Sequence, residues 1–220
     1  MVTFKRLISS IIVFALFSQT VSAGTFWIDT NADNDPNTCV EDETDNDNDC
    51  TFRDAVSQLT SSDTIRFIDN ENQTITFGGT SYTMSVNGVT VDAVTGTAHT
   101  VVFDGNSSAN DGFSVTGDNI TIKGLYLYNF DGEALTTKAI DITSTADSTT
   151  IDQNVMGLQT DGTTVNANTK GVATAGNDTS ITNNTISGNT VAGIVLMNGA
   201  TDVTITGNKI GTDTGGTLDK

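Results

Sequence analysis

A short pattern returns through the second half of the chain and limits what it can fold into. Asp178-Thr-Ser-Ile-Thr-Asn-Asn-Thr-Ile-Ser187 reappears 24 residues later as Asp202-Val-Thr-Ile-Thr-Gly-Asn-Lys-Ile-Gly211. The same frame stands from Asp147 to Met156 and from Asp118 to Leu127, so Ile122, Ile151, Ile181 and Ile205 recur at intervals of 29, 30 and 24 residues. Apolar residues within each copy lie two apart, the period of a strand. Ahead of each of these isoleucines runs another alternating segment: Phe113/Val115, Ile140/Ile142, Val172/Thr174 and Ile194/Leu196. Each repeat thus offers three short strands joined by Gly, Asn, Asp and Ser turns. One such unit cannot bury its apolar face alone; stacked units can, at about 4.8 Å per layer. The pattern predicts an all-β parallel solenoid.

Asn154, Asn184 and Asn208 hold the same place in three coils, at a bend between two strands. Asn tolerates the left-handed backbone conformation, and its amide can bond the Asn above and below. An Asn ladder is therefore expected, ending where Leu125 takes that place. With Asn184-Thr-Ile-Ser-Gly-Asn189 and Gly207-Asn-Lys-Ile-Gly-Thr212, the segment 88–213 resembles the right-handed, single-stranded, pectate-lyase-like parallel β-helices of secreted bacterial proteins. That resemblance implies a fold and no particular activity.

The chain opens with Lys5 and Arg6, an apolar run from Leu7 to Phe17, and small residues at Val21-Ser-Ala23. This is the pattern of a secretory signal peptide cleaved after Ala23, and the run is too short to span a bilayer. A secreted or cell-surface location follows. Losing Lys5 and Arg6 would take the net charge from -18 to -20. So acidic a chain repels nucleic acid and anionic membranes.

Residues 29–49 carry nine acidic side chains and no Lys or Arg. Asp45, Asp47 and Asp49 imitate the start of a Ca²⁺ loop, but Cys50 stands where the turn glycine would be and Val56 where the closing Glu would be. A Ca²⁺ site and a solvated acidic loop both remain open; no other cofactor is required. Cys39 and Cys50 bracket the loop and are the only cysteines, which in a secreted chain points to a disulfide.

Cys50, Thr51, Phe52, Arg53, Asp54, Ala55 and Val56 resemble the Cys-Ser-Leu-Arg-Glu-Ala-Ile motif that opens many secreted β-helix proteins. The resemblance implies a short helix near 51–59 capping the first coil. The residues agree: Phe52, Val56 and Leu59 share a helical face and Thr51 can cap the start. A salt bridge or cap bond suits Arg53 better than a catalytic role.

The expected organisation is a signal peptide (1–23), an N-terminal cap with disulfide loop and helix (24–62), coils (63–213) and a polar tail (214–220). Within 64–104 the runs 64–67, 74–77, 89–91 and 101–103 read as the first coils. An exposed last layer would template aggregation. The tail, a partner or further coils beyond Lys220 are the candidates to cover it.

Many β-helices act on polysaccharides. A lyase needs a basic Lys or Arg and a bound cation; a hydrolase needs paired carboxylates. Lys123, Lys138, Lys170 and Lys209 do not read as one column. Asp141 and Asp152 read as neighbours on the outer surface, and His99 as an exposed strand-edge residue. Asn-Thr-Asp, Gly-His-Gly and Arg-Ile-Lys, marks of the polygalacturonase branch, are absent. The expected function is a structural or adhesive domain with no readable catalytic constellation, its ligand a carbohydrate or another cell-surface group. A polysaccharide lyase or glycoside hydrolase is the alternative. Tyr126 and Tyr128 alternate with inward Leu125 and Leu127, as surface tyrosines or as a sugar-stacking platform.

Overall fold

The structure is a computed structural model describing residues 22–33, 39, 50–68, 72–95, 99–132 and 135–220. Residues 1–21 of the segment read as a signal peptide, and the acidic stretch with Asp45, Asp47 and Asp49, lie outside the described residues.

A first strand β1 (Thr25–Ile28) precedes helix α1 (Phe52–Gln58), and the coils follow. The early coils hold β2 (Thr64–Phe67), β3 (Gln73–Thr76), β4 (Tyr82–Met84), β5 (Thr90–Asp92) and β6 (Val101–Asp104). The middle of the chain gives β7 (Phe113–Val115), β8 (Thr121–Lys123), β9 (Leu125–Tyr128), β10 (Lys138–Ile142), β11 (Thr150–Asp152) and β12 (Val155–Met156). The last coils supply β13 (Lys170–Thr174), β14 (Ser180–Thr182), β15 (Thr185–Ile186), β16 (Ala192–Leu196), β17 (Thr204–Thr206) and β18 (Lys209–Ile210).

β1 stacks on β2, and from β2 onward each strand is followed in its sheet by the strand three places later. Sheet A runs β1-β2-β5-β8-β11-β14-β17, sheet B β3-β6-β9-β12-β15-β18, and sheet C β4-β7-β10-β13-β16, each parallel throughout. This is a parallel β-helix. The repeated isoleucines form one register column, Ile122–Ile151–Ile181–Ile205, in sheet A. Phe113, Ile140, Val172 and Ile194 form another in sheet C. Strand alternation sends these residues into the interior. The sequence reading of 64–104 missed β4, whose Tyr82 and Met84 complete the early coils.

The interior changes character along the axis. At the N-terminal end the rings of Phe52, Phe67, Tyr82, Phe103 and Phe113 meet at centroid distances of 4.8–6.3 Å. Later coils fill with Ile, Leu and Val, and with Thr and Asn at the corners. Helix α1 plugs the aromatic end. Thr51 Oγ1 accepts from the Asp54 N–H at 3.0 Å, a side-chain N-cap. Phe52 and Ala55 are fully buried, whereas Val56 is only partly so; the inward face is rotated towards Ala55. The Cys39–Cys50 disulfide ties Cys39 to the residue just ahead of the N-cap Thr51.

Corners need backbone in the left-handed region. Positive φ recurs two residues ahead of each sheet A strand from β2 onward, at Ser62, Gly88, Asn119, Ser148, Asp178 and Asp202. It recurs again just after the later sheet A strands, at Gly124, Gln153, Asn183 and Gly207. The second set corrects one expectation. The left-handed residue is the one before each ladder asparagine. The turn is made there, which leaves Asn154, Asn184 and Asn208 free to aim their amides along the stack.

Candidate functional site

The ladder is the best-defined polar feature of the interior. Asn154 donates from its backbone N–H and its Nδ2 to Asn184 Oδ1, at 2.8 and 3.1 Å. Asn184 does the same to Asn208 Oδ1, at 2.8 and 3.0 Å. The remaining bonds from Nδ2 of Asn154, Asn184 and Asn208 go to the carbonyls of Ile122, Ile151 and Ile181. At the lower end Leu125 donates its N–H to Asn154 Oδ1 at 3.0 Å, so the side-chain ladder stops at a backbone group. A second pair went unread in the sequence. Asn168 donates to Asn189 Oδ1 at 3.0 Å and to the Leu127 carbonyl, and accepts from the Phe130 N–H. The place of Asn168 and Asn189 just before β13 and β16 was the available signal.

Among the described residues Arg53, Lys123 and Lys138 are engaged by carboxylates. On sheet A the outward column reads Trp27–Arg66–Asp92–Lys123–Asp152–Thr182. Arg66 lies over the Trp27 ring at 5.6 Å, and Lys123 Nζ is 3.1 Å from Asp92 Oδ2. Burial works against the Asp92 carboxylate, but donors from Thr95, Val94 and Lys123 outweigh it and hold the group below its ordinary range. Asp152 accepts from Thr182, Asn183 and Gln153.

On sheet C, Lys138 Nζ lies 3.2 Å from Asp111 and 3.5 Å from Asp141. Burial pushes the Asp141 carboxyl up, Lys138 only partly offsets this, and Asp111 adds to it. The four lysines stand on three sheets and form no single column, as the spacing suggests, although Lys138 and Lys170 are register partners. Their alignment was hidden by loops of unequal length between them. Asp141 and Asp152 are not neighbours: one is on sheet C and the other on sheet A.

Arg53 is a clamp. It donates from Nε and Nη2 to Asp33 at 2.9 and 2.8 Å, reaches the Thr80 carbonyl, and lies 4.6 Å from the Tyr82 ring centroid. These contacts tie the chain after β1 to the helix and to sheet C.

The outer face of sheet B is partly roofed. After β12 the chain turns back on itself, with Leu158 and Val165 bridged antiparallel. Its return leg takes the Asn129 N–H on the Asn166 and Ala167 carbonyls. Thr160 at its tip meets Asn72, Thr74, Thr100 and Val102 around a hollow of about 240 Å³. Val102 points outward between Val101 and Phe103, yet is buried; three consecutive apolar residues were the readable sign of a strand covered on both faces. Tyr126 lies between Val102 and Val155 in the same outward column. It and Tyr128 face outward but are half-buried, and burial raises both phenols, Tyr128 also through Asp104. His99, half-buried, sits in the turn entering β6 beside Thr100 rather than exposed on a strand edge.

The segment read as a polar tail is structured. Thr212 and Asp219 form an antiparallel bridge, and Thr214 donates its N–H to the Gly162 carbonyl of the earlier hairpin. It packs beside the stack and leaves the last layer open: Ile205 is 39% and Ile210 52% exposed.

Residues 104–219, from the end of β6 through this last hairpin, match the profile of the family described as NosD, periplasmic copper-binding protein. The chain belongs to the NosD family. No curated protein and no solved structure matches it. The family is periplasmic, and no helix among the described residues is long and apolar enough to cross a membrane.

Copper in a NosD family member calls for thiolate, thioether or imidazole donors that converge. Here both thiols are in the disulfide. Met84 and Met156 are sealed in the interior on different sheets, and His99 and Met197 lie on different sheets' margins. Among the described residues no three His, Cys, Asp or Glu side chains gather to hold a metal. The described residues do not fit a copper site.

Proposed function

We propose that this NosD family member is an exported, non-catalytic β-helix domain of structural or adhesive type whose ligand is carbohydrate. The observation that carries the reading is the engagement of three of the cations a lyase could use. Lys123 is paired with Asp92, Lys138 is shared by Asp111 and Asp141, and Arg53 is locked on Asp33. A base held by a carboxylate on a regular sheet face is poorly placed to take a proton from a substrate. Signal cleavage after Ala23 and Ca²⁺ held by Asp45, Asp47 and Asp49 belong to the same proposal.

One observation favours the enzyme reading. Asp141, its carboxyl raised by burial, stands across Lys138 from Asp111, and two carboxylates in unlike environments are what a glycoside hydrolase requires. Co-sedimentation of the secreted protein with insoluble polysaccharide, with and without Ca²⁺, tests the adhesive reading. Retention in the pellet without release of soluble sugar is expected; no retention on any polysaccharide would count against it.

A further inference from the structure

Resting on the carbohydrate reading, we propose that the hollow between the β12–β13 hairpin and the outer face of sheet B is a subsite for one neutral sugar ring of an oligosaccharide. The argument is the chemistry of the lining. Asn72, Thr74, Thr100 and Thr160 bring one amide and three hydroxyls, and Val102 forms an apolar floor. None of these five carries a charge. Asn72 is held in place by the Thr100 N–H, which donates to its Oδ1 at 2.8 Å. Thr74 is anchored from behind, its N–H donating to Asn31 Oδ1 at 3.1 Å.

Neutral hydrogen-bonding groups around an apolar floor complement a ligand with hydroxyls at its edge and C–H groups on its face. A uronate or phosphate would enter with no cation among the described lining residues to receive it, on a chain of net charge -18. Among the described lining residues a metal ion would find no carboxylate. The volume, about 240 Å³, is below the roughly 300–1,000 Å³ of sites for drug-sized molecules and suits a single ring. Tyr126 follows Val102 in the column and offers a half-buried ring and a hydroxyl to the next sugar along the chain.

Thr160 is exposed at the hairpin tip, so Thr160→Trp fills the hollow from outside without entering the core. Thr163→Trp, on the same hairpin but away from the lining, is the control. Amide NMR titrations would use cellohexaose as the neutral probe and hexagalacturonate as the anionic one. Saturable shifts at Val102 and Thr160 with cellohexaose are expected, weakened about tenfold or more by Thr160→Trp and unchanged by Thr163→Trp. Absence of saturable shifts with cellohexaose, or equal binding of hexagalacturonate, overturns the proposal. Cellohexaose binding that survives Thr160→Trp also overturns it, while leaving an adhesive domain that binds elsewhere.

Discussion

Asn184 Oδ1 accepts two hydrogen bonds from one residue, the backbone N–H and the Nδ2 of Asn154 in the coil below. One side chain thus satisfies a backbone donor at a corner, where the sheet ladder cannot, and also fixes the neighbouring amide. The same relation between Asn208 and Asn184 repeats it one layer on. Buried corners are where a solenoid is most exposed to unpaired polar groups, and each one left unmet costs about 1–3 kcal/mol.

Asn184→Ala should therefore destabilise by about 2–3 kcal/mol, since it leaves the Asn154 N–H unmet and takes one bond each from Asn154 Nδ2 and the Ile151 carbonyl. Asn189→Ala should cost about 1 kcal/mol, because Asn189 is half-buried and water can reach the amide it leaves behind. Urea midpoints of the two variants decide it. Equal shifts would remove the ladder's special role.

Much of the stack was legible before any coordinates. The isoleucine column and the sheet C column follow from spacing alone, because a β-helix repeats its inward positions coil after coil. The left-handed residue was misplaced by one. Asn183 and Asn184 are both turn formers, and only the inward demand for an amide decides which of them bends. The Lys138–Lys170 alignment and the Asn168–Asn189 pair were hidden for another reason: the intervening loops differ in length, so equal places in the coil are not equally spaced in sequence. The hollow was illegible because it joins Asn72 to Thr160 through a hairpin whose fold no periodicity announces.

The helix cap should be worth more than its seven residues suggest. Phe52 is fully buried and meets four other rings, so Phe52→Ala should cost about 3–5 kcal/mol. Thr51→Ala, which loses only the N-cap, should cost about 1 kcal/mol. Thermal and urea unfolding of the two variants would show the order. A Phe52→Ala protein as stable as Thr51→Ala would mean that the helix does not seal the first coil.

Two aspartates should respond to pH in opposite senses. Asp92 is depressed in the folded state, so its contribution is present above the unfolded carboxylate range, about 3.9, and is lost as pH falls through its folded value. Asp141 is raised, so its ionised form is penalised at neutral pH and the penalty is relieved as pH falls through its folded value. Asp92→Asn should destabilise at pH 7 and lose its effect in strong acid; Asp141→Asn should be neutral or stabilising at pH 7. Carboxyl carbon shifts should show Asp141 titrating above Asp92. The reverse order would contradict the geometry on both sheets.

Reduction of the Cys39–Cys50 bridge should destabilise the secreted protein by about 3 kcal/mol for a loop of 11 residues. The unreduced, unfolded protein should show no reactive thiol. N-terminal sequencing of the same exported sample should read from Gly24. Recovery of Met1 or Val2 would remove the signal peptide from the account.

The central claim is that the β-helix holds its charges for structure and does not cut polysaccharide. Its most direct test incubates the purified secreted protein with pectate, alginate and a neutral glucan, each with and without Ca²⁺, and counts unsaturated and reducing ends. The account predicts no new ends above the protein-free control in any of the mixtures. New ends that disappear in Lys123→Ala, Asp152→Asn, Lys138→Ala or Asp141→Asn would contradict it and make the molecule an enzyme.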